Sequence, residues 1–126
     1  MTKKLLEKWQ KILNNLVVGI TLFALTHIII WFQVNGQFVW PWAKENPMLM
    51  AILGLPISYI LIIATKYIVA GFDDLLWPGR FIGFGVGMVV YAIMVSYFFN
   101  EGINLKTLTS LILATGLVCV QVFWKV

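Results

Sequence analysis

Charge is scarce in this 126-residue chain: Asp, Glu, Lys and Arg together supply 11% of it, against 61% from the apolar set. A soluble domain this small has much surface for its volume and needs far more charge to cover it. Cysteine is almost missing as well. Cys119 stands alone, so no intrachain disulfide can staple the fold. Its span offers no nearby base, which favours a small buried packing residue over a nucleophile. Histidine occurs once, and one imidazole does not make a metal site. Paired carboxylates, a Ser–His–acid set, a phosphate loop and an HExxH helix are all lacking. Neither catalysis nor a cofactor is expected of the chain.

The net charge of +4 does not point to nucleic acid, because no basic–aromatic alternation or zinc spacing accompanies it. Four of the nine basic residues (Lys3, Lys4, Lys8 and Lys11) cluster beside the first apolar run. There they suit anionic headgroups or the setting of topology. Leu5, Trp9, Ile12 and Leu13 form an apolar stripe opposite these lysines, so residues 3–11 are expected to extend the first helix along the interface before it turns inward.

What the chain has in abundance is long apolar runs. They predict one all-α, polytopic membrane domain over 1–126, with four transmembrane helices at about 12–34, 48–70, 79–99 and 105–124. Each run is about 20 residues or longer, enough at roughly 1.5 Å per residue to cross a hydrocarbon core of about 30 Å. Runs of this length without two-residue alternation argue against a barrel. The stretch Ile12 to Phe32 exceeds a signal-peptide core, and no small-x-small pattern follows it, so it reads as a retained helix. Lys3, Lys4, Lys8, Lys11, Lys66, Arg80 and Lys125 fall on one side, with only Lys44 and Lys106 on the other. That bias predicts an N-in/C-in arrangement, with a prokaryotic inner or plasma membrane as the expected location.

Within the spans, Gly79, Gly83 and Gly87 recur every fourth residue and make a smooth stripe for close helix packing, within the chain or against a second subunit. Tyr91 and Val95 continue it. A second small-residue track runs through Thr109, Ile112, Gly116 and Cys119. Pro56 should loosen the second helix and free a carbonyl for Ser58, Tyr59, water or a ligand. Asp73 or Asp74 is expected to cap the turn before the third helix. His27 lies inside the first span, and an imidazole ordinarily titrates at about pH 6.5, close to physiological values. It is read either as a neutral side chain bonded to Tyr, Thr or backbone, or as a ligand or proton contact.

The second half carries Trp77-Pro78-Gly79, a glycine-rich third helix, Tyr97-Phe98-Phe99-Asn100-Glu101, Leu105, and Leu113-Ala114-Thr115-Gly116-Leu117. Together these resemble the last helical hairpin of the drug/metabolite transporter superfamily, especially its small multidrug resistance-like members. The resemblance implies a dimer that moves cationic or lipid-linked molecules, with Glu101 as the loop acid and Gly116 and its neighbours at the dimer contact. The family's drug exporters carry a Glu in the middle of the first helix, where this chain has Thr26 and His27. The lipid-carrier branch is therefore the better match. The expected function is a small transporter or flippase subunit, with His27, Tyr59, Tyr91, Ser96 and Glu101 as pathway or ligand contacts. An accessory subunit of a larger membrane complex and a holin-like pore former are the alternatives. Expected partners are membrane lipids and a homo- or hetero-oligomer.

Overall fold

The computed structural model describes residues 2–124. Every regular element in that range is helical: α1 (Lys3–Asn35), a short 3-10 turn (Gly36–Phe38), α2 (Pro41–Glu45), α3 (Pro47–Ile52), α4 (Gly54–Gly71), α5 (Leu76–Phe99) and α6 (Leu105–Phe123). Four stretches are long and apolar enough to cross a bilayer: Lys3–Phe38, Pro47–Gly71, Leu76–Phe99 and Leu105–Phe123. The chain is an integral membrane protein with four helices of spanning length. Large apolar side chains cover its outer faces, among them Leu25, Ile62, Ile93 and Leu113, as lipid contact requires.

α1 begins where the Thr2 hydroxyl accepts a hydrogen bond from the Leu5 amide at 3.2 Å, an N-cap that satisfies one orphan donor of the first turn. From there the helix is unbroken through Asn35. The basic extension at 3–11 is therefore helical, and the inward turn expected between it and the span is not present. Lys125, counted with the N-terminal side by sequence, lies outside the described residues.

The second span breaks at Leu53. Pro56 has no N–H, so the carbonyl four residues earlier loses its helical donor. Nearby, an unexpected donor enters: Gln33 of α1 donates its side-chain amide to the Met50 carbonyl at 3.1 Å. Gly54 lies beside it, where a Cβ would stand 3.4 Å from Gln33 Nε2, an ordinary contact. Ser58 and Tyr59, which the sequence suggested for this task, are both exposed. A polar side chain inside an apolar span thus finds its partner across the interface with the second span.

The α4–α5 connection also departs from expectation. Leu75 stands at the N-cap of α5, and no side-chain capping bond is made there. Asp73 and Asp74 instead take φ of 53° and 65°, the left-handed region that Asp tolerates better than most residues. They end α4 by turning the chain back, with the Asp74 amide donating to the Val69 carbonyl at 2.9 Å. This closure resembles the left-handed endings common at helix C-termini.

Helices α1, α4 and α5 pack on one another, whereas α6 touches α5 alone. The core at the first three holds Phe23, Ala64 and Ile68, with Leu16, Leu61 and Val86 around it. Glycines set the spacing. Ile68 of α4 seats on Gly19 of α1, and Leu16 of α1 seats on Gly71 of α4. That reciprocal pair brings the antiparallel helices close, and small residues at such crossings are what let apolar helices gain contact in lipid.

Candidate functional site

The glycine stripe of α5 is spent inside the chain. Ile68 lies over Gly79, the Phe23 ring over Gly83 and the His27 imidazole over Gly87. The spacing of four matches on both parallel helices, so Phe23 and His27 meet successive glycines. His27 is half-buried in this seam, and its Nδ1 lies 2.8 Å from the Phe23 carbonyl. A carbonyl only accepts, so Nδ1 carries a hydrogen and donates in this contact. The backbone contact foreseen as one reading of His27 is present, at the Phe23 carbonyl. Thr26, fully buried beside it, donates to the Leu22 carbonyl at 2.7 Å.

α6 lies on the other side of α5. Gly85 is two residues from both Gly83 and Gly87, which at roughly 100° per residue places it about half a turn away from the stripe. Val118 of α6 packs against Gly85 at this second face, a contact the sequence does not flag because Gly85 falls outside the repeat. Further along, the two helices part and leave a groove of about 200 Å³ beneath the connecting loop. Tyr91, Ser96 and Glu101 line it together with Met88, Thr107 and Leu111.

Two asparagines shape the mouth of this groove. Asn100 closes α5 with a φ of 50°, and Asn104 caps α6 by accepting from the Thr107 amide at 2.9 Å. Both roles suit a short amide side chain. Glu101 is held between them at the rim, exposed. Hydroxyl and carboxylate groups over a floor of Met88, Val95 and Leu111 suit an amphipathic guest. Its apolar part would lie on the floor and a donor-bearing head would meet Glu101. Thr107 is a groove residue that sequence reasoning misses; its one local signal is an Asn three residues ahead, the usual cap spacing.

The five residues expected to share one pathway thus fall in three places. Tyr91, Ser96 and Glu101 meet in the groove, and His27 is in the α1–α5 seam. Tyr59 is 67% exposed on α4 and belongs to neither. Gly116 meets nothing within 4 Å of a Cβ position, unlike the three glycines of α5. Cys119 is exposed, contrary to the buried packing role expected of it, because only the Ala114 side of α6 is shielded.

Above the His27 seam lies an aromatic layer. Trp31, 2% exposed, stacks on Phe98 with ring centroids 5.2 Å apart. Phe32 stacks on Trp40 at 5.7 Å, and Trp40 lies next to Trp42 at 6.5 Å. The Trp31 indole N–H reaches no acceptor among the described residues, so this ring is held by packing alone. The layer ties the 36–45 connection to the ends of α1 and α5. Its exposed tryptophans fit the headgroup level, where amphipathic rings concentrate. Groups of three or more metal-ligating side chains are absent among the described residues.

Comparison with protein-family models, with curated proteins and with solved structures finds no match to this chain.

Proposed function

We propose that this chain is a transporter or flippase subunit for an amphipathic small molecule, with the α5–α6 groove as its substrate contact. The observation that carries the reading is the gathering of Tyr91, Ser96 and Glu101 around an apolar floor. The α1–α4–α5 core is filled by Phe23, Ala64 and Ile68, and in this proposal a second subunit completes the pathway at the groove. The N-in/C-in arrangement belongs to the same proposal. Lys3, Lys4, Lys8, Lys11, Lys66 and Arg80 then face the cytoplasm, and Lys44, Lys106 and Glu101 the other side.

Glu101 makes the reading specific: it favours an amine or other cationic head over a neutral one. Proteoliposomes carrying acyl-labelled lipids with amine or hydroxyl headgroups provide the test. Wild type moves the amine-headed probe across the bilayer, and Glu101→Gln slows it several-fold while sparing the hydroxyl-headed probe. Equal rates for both proteins on both probes remove the groove from the function. An inert wild type overturns transport altogether.

A second reading has its own observation. The outer face of α6, with Gly116 open and Thr109 and Ser110 bonded only to their own helix, suits an accessory subunit held by another membrane protein. Reproducible co-migration with one identified membrane protein after gentle solubilisation, together with no flux of either probe, favours it.

A further inference from the structure

We infer that the α5–α6 groove reads the N–H groups of its guest, taking a primary ammonium head and turning away the same head fully N-methylated. This selection rests on the groove being the substrate contact, and it adds the class of head the groove takes. The hydroxyl groups of the spans carry it. In a membrane helix a Ser or Thr hydroxyl commonly donates to the carbonyl four residues earlier, which satisfies it without a partner from outside. Thr26, Thr65, Thr109, Ser110 and Thr115 all do so, at 2.7–3.0 Å.

Ser96 and Thr107 do not. They line the groove from its two helices, and neither hydroxyl finds a partner among the described residues, although the Thr107 amide is taken by Asn104. Ser96 leaves the Ala92 carbonyl, one turn back in α5, unused by its side chain. Thr21 and Ser58 are free too, but both are exposed and neither lines the groove. The end of α5 adds a further acceptor. Cap amides close α1, α4 and α6 on the Phe32, Val69 and Val120 carbonyls. Asn100 makes no such bond at the end of α5, which leaves the Ser96 carbonyl without its amide at the mouth. The start of α6 is capped by the Asn104 side chain.

Among the described residues that line the groove, Glu101 alone is charged. The mouth thus offers a carboxylate, two free hydroxyl oxygens and a helix-end carbonyl. A primary ammonium brings three N–H donors and can meet Glu101 and two more of these oxygens at once. A trimethylammonium head has the same charge and no donor. It keeps its attraction to Glu101 and to the ring of Tyr91, which stands roughly 7.5 Å further along α5 from Ser96. It also covers the Ser96 and Thr107 oxygens without pairing them, and a desolvated, unpaired polar group is unfavourable. A site built on hydrogen bonds therefore rejects the donor-free analogue far more strongly than charge alone does.

The test uses the full chain in phosphatidylcholine nanodiscs and two fluorescent single-chain probes, identical except for a primary ammonium or a trimethylammonium head. Binding is titrated with the signal of empty nanodiscs subtracted. Wild type binds the ammonium probe saturably and at least about tenfold more tightly than the trimethyl one. Ser96→Ala/Thr107→Val brings the two affinities to within about twofold by weakening the ammonium probe. Its thermal unfolding stays at the wild-type value, because neither hydroxyl is bonded within the described chain. Glu101→Gln weakens both probes by a similar factor, since the charge is common to them. Equal saturable binding of both heads, lost in Glu101→Gln, overturns the inference and leaves the groove as the substrate contact. A preference that survives the loss of both hydroxyls overturns it as well. No saturable binding of either probe, or binding indifferent to Glu101→Gln, removes the groove reading along with it.

Discussion

Substituting alanine for Gly19 destabilises the folded protomer by about 1–3 kcal/mol, the usual cost of overfilling a packed interior. A Cβ at Gly19 would stand 2.5 Å from Ile68 Cγ1 and 3.1 Å from the Ile68 backbone nitrogen. Ile68 is fully buried and also covers Gly79, so its side chain has nowhere to withdraw. The reciprocal site is softer. At Gly71 the Cβ would meet Leu16 Cδ2 at 2.6 Å, but Leu16 is only half-buried and can change rotamer. Gly71→Ala therefore costs less than Gly19→Ala. Ile68→Ala alone also destabilises, by about 2–5 kcal/mol for a buried truncation. The double variant Gly19→Ala/Ile68→Ala costs less than the sum of the two, because the new methyl occupies part of the space vacated. A coupling of about 0.5–3 kcal/mol in the cycle is the expected signature, read from reversible unfolding in mixed micelles. Strict additivity would mean that the two residues do not touch.

The second large effect separates two kinds of glycine. Gly87→Val forces the chain against His27, whose Cδ2 and Nε2 would lie 2.7 Å and 2.8 Å from the first added carbon. The imidazole is tethered through Nδ1 to the Phe23 carbonyl, so it cannot move without breaking that bond. The expected loss is again about 1–3 kcal/mol, and His27→Ala in the same chain recovers part of it. Gly116→Val meets open space and changes protomer stability by no more than about 0.5 kcal/mol. If Gly116→Val proved as damaging as Gly87→Val in a monomeric preparation, the outboard position of α6 would be wrong.

Much of this arrangement is legible in the sequence alone. The apolar runs end within a residue of the ends of helices α1, α4, α5 and α6 at Asn35, Gly71, Phe99 and Phe123, although the first stretch long and apolar enough to cross continues to Phe38. The glycine stripe is equally visible as a repeat. Its partner is not, since any helix could cover a smooth face, and only the packed structure assigns Ile68, Phe23 and His27 to it. Gln33 is inconspicuous for a related reason. Its value lies in reaching a carbonyl seventeen residues away, near a proline in another span, and no local pattern encodes that meeting. Asp73 and Asp74 look like cap residues by type, yet their backbone conformation uses them to end α4 rather than to begin α5. Of the candidate site, Tyr91, Ser96 and Glu101 are recognisable as polar groups near one end of the third span. That they converge, while His27 and Tyr59 do not, depends on α6 lying on the far face of α5.

The reading of the whole chain depends on four crossings, and side-specific labelling tests them most directly. In a Cys119→Ser background, single cysteines at Lys8, Asp74, Glu45 and Gly102 occupy exposed positions before the first span and in the three connections between spans. A membrane-impermeant maleimide is applied to sealed right-side-out vesicles and to inverted ones. Lys8→Cys and Asp74→Cys are expected to react from the cytoplasmic side only, and Glu45→Cys and Gly102→Cys from the opposite side only. Labelling of Asp74→Cys together with Glu45→Cys, or of all four from one side, would contradict it.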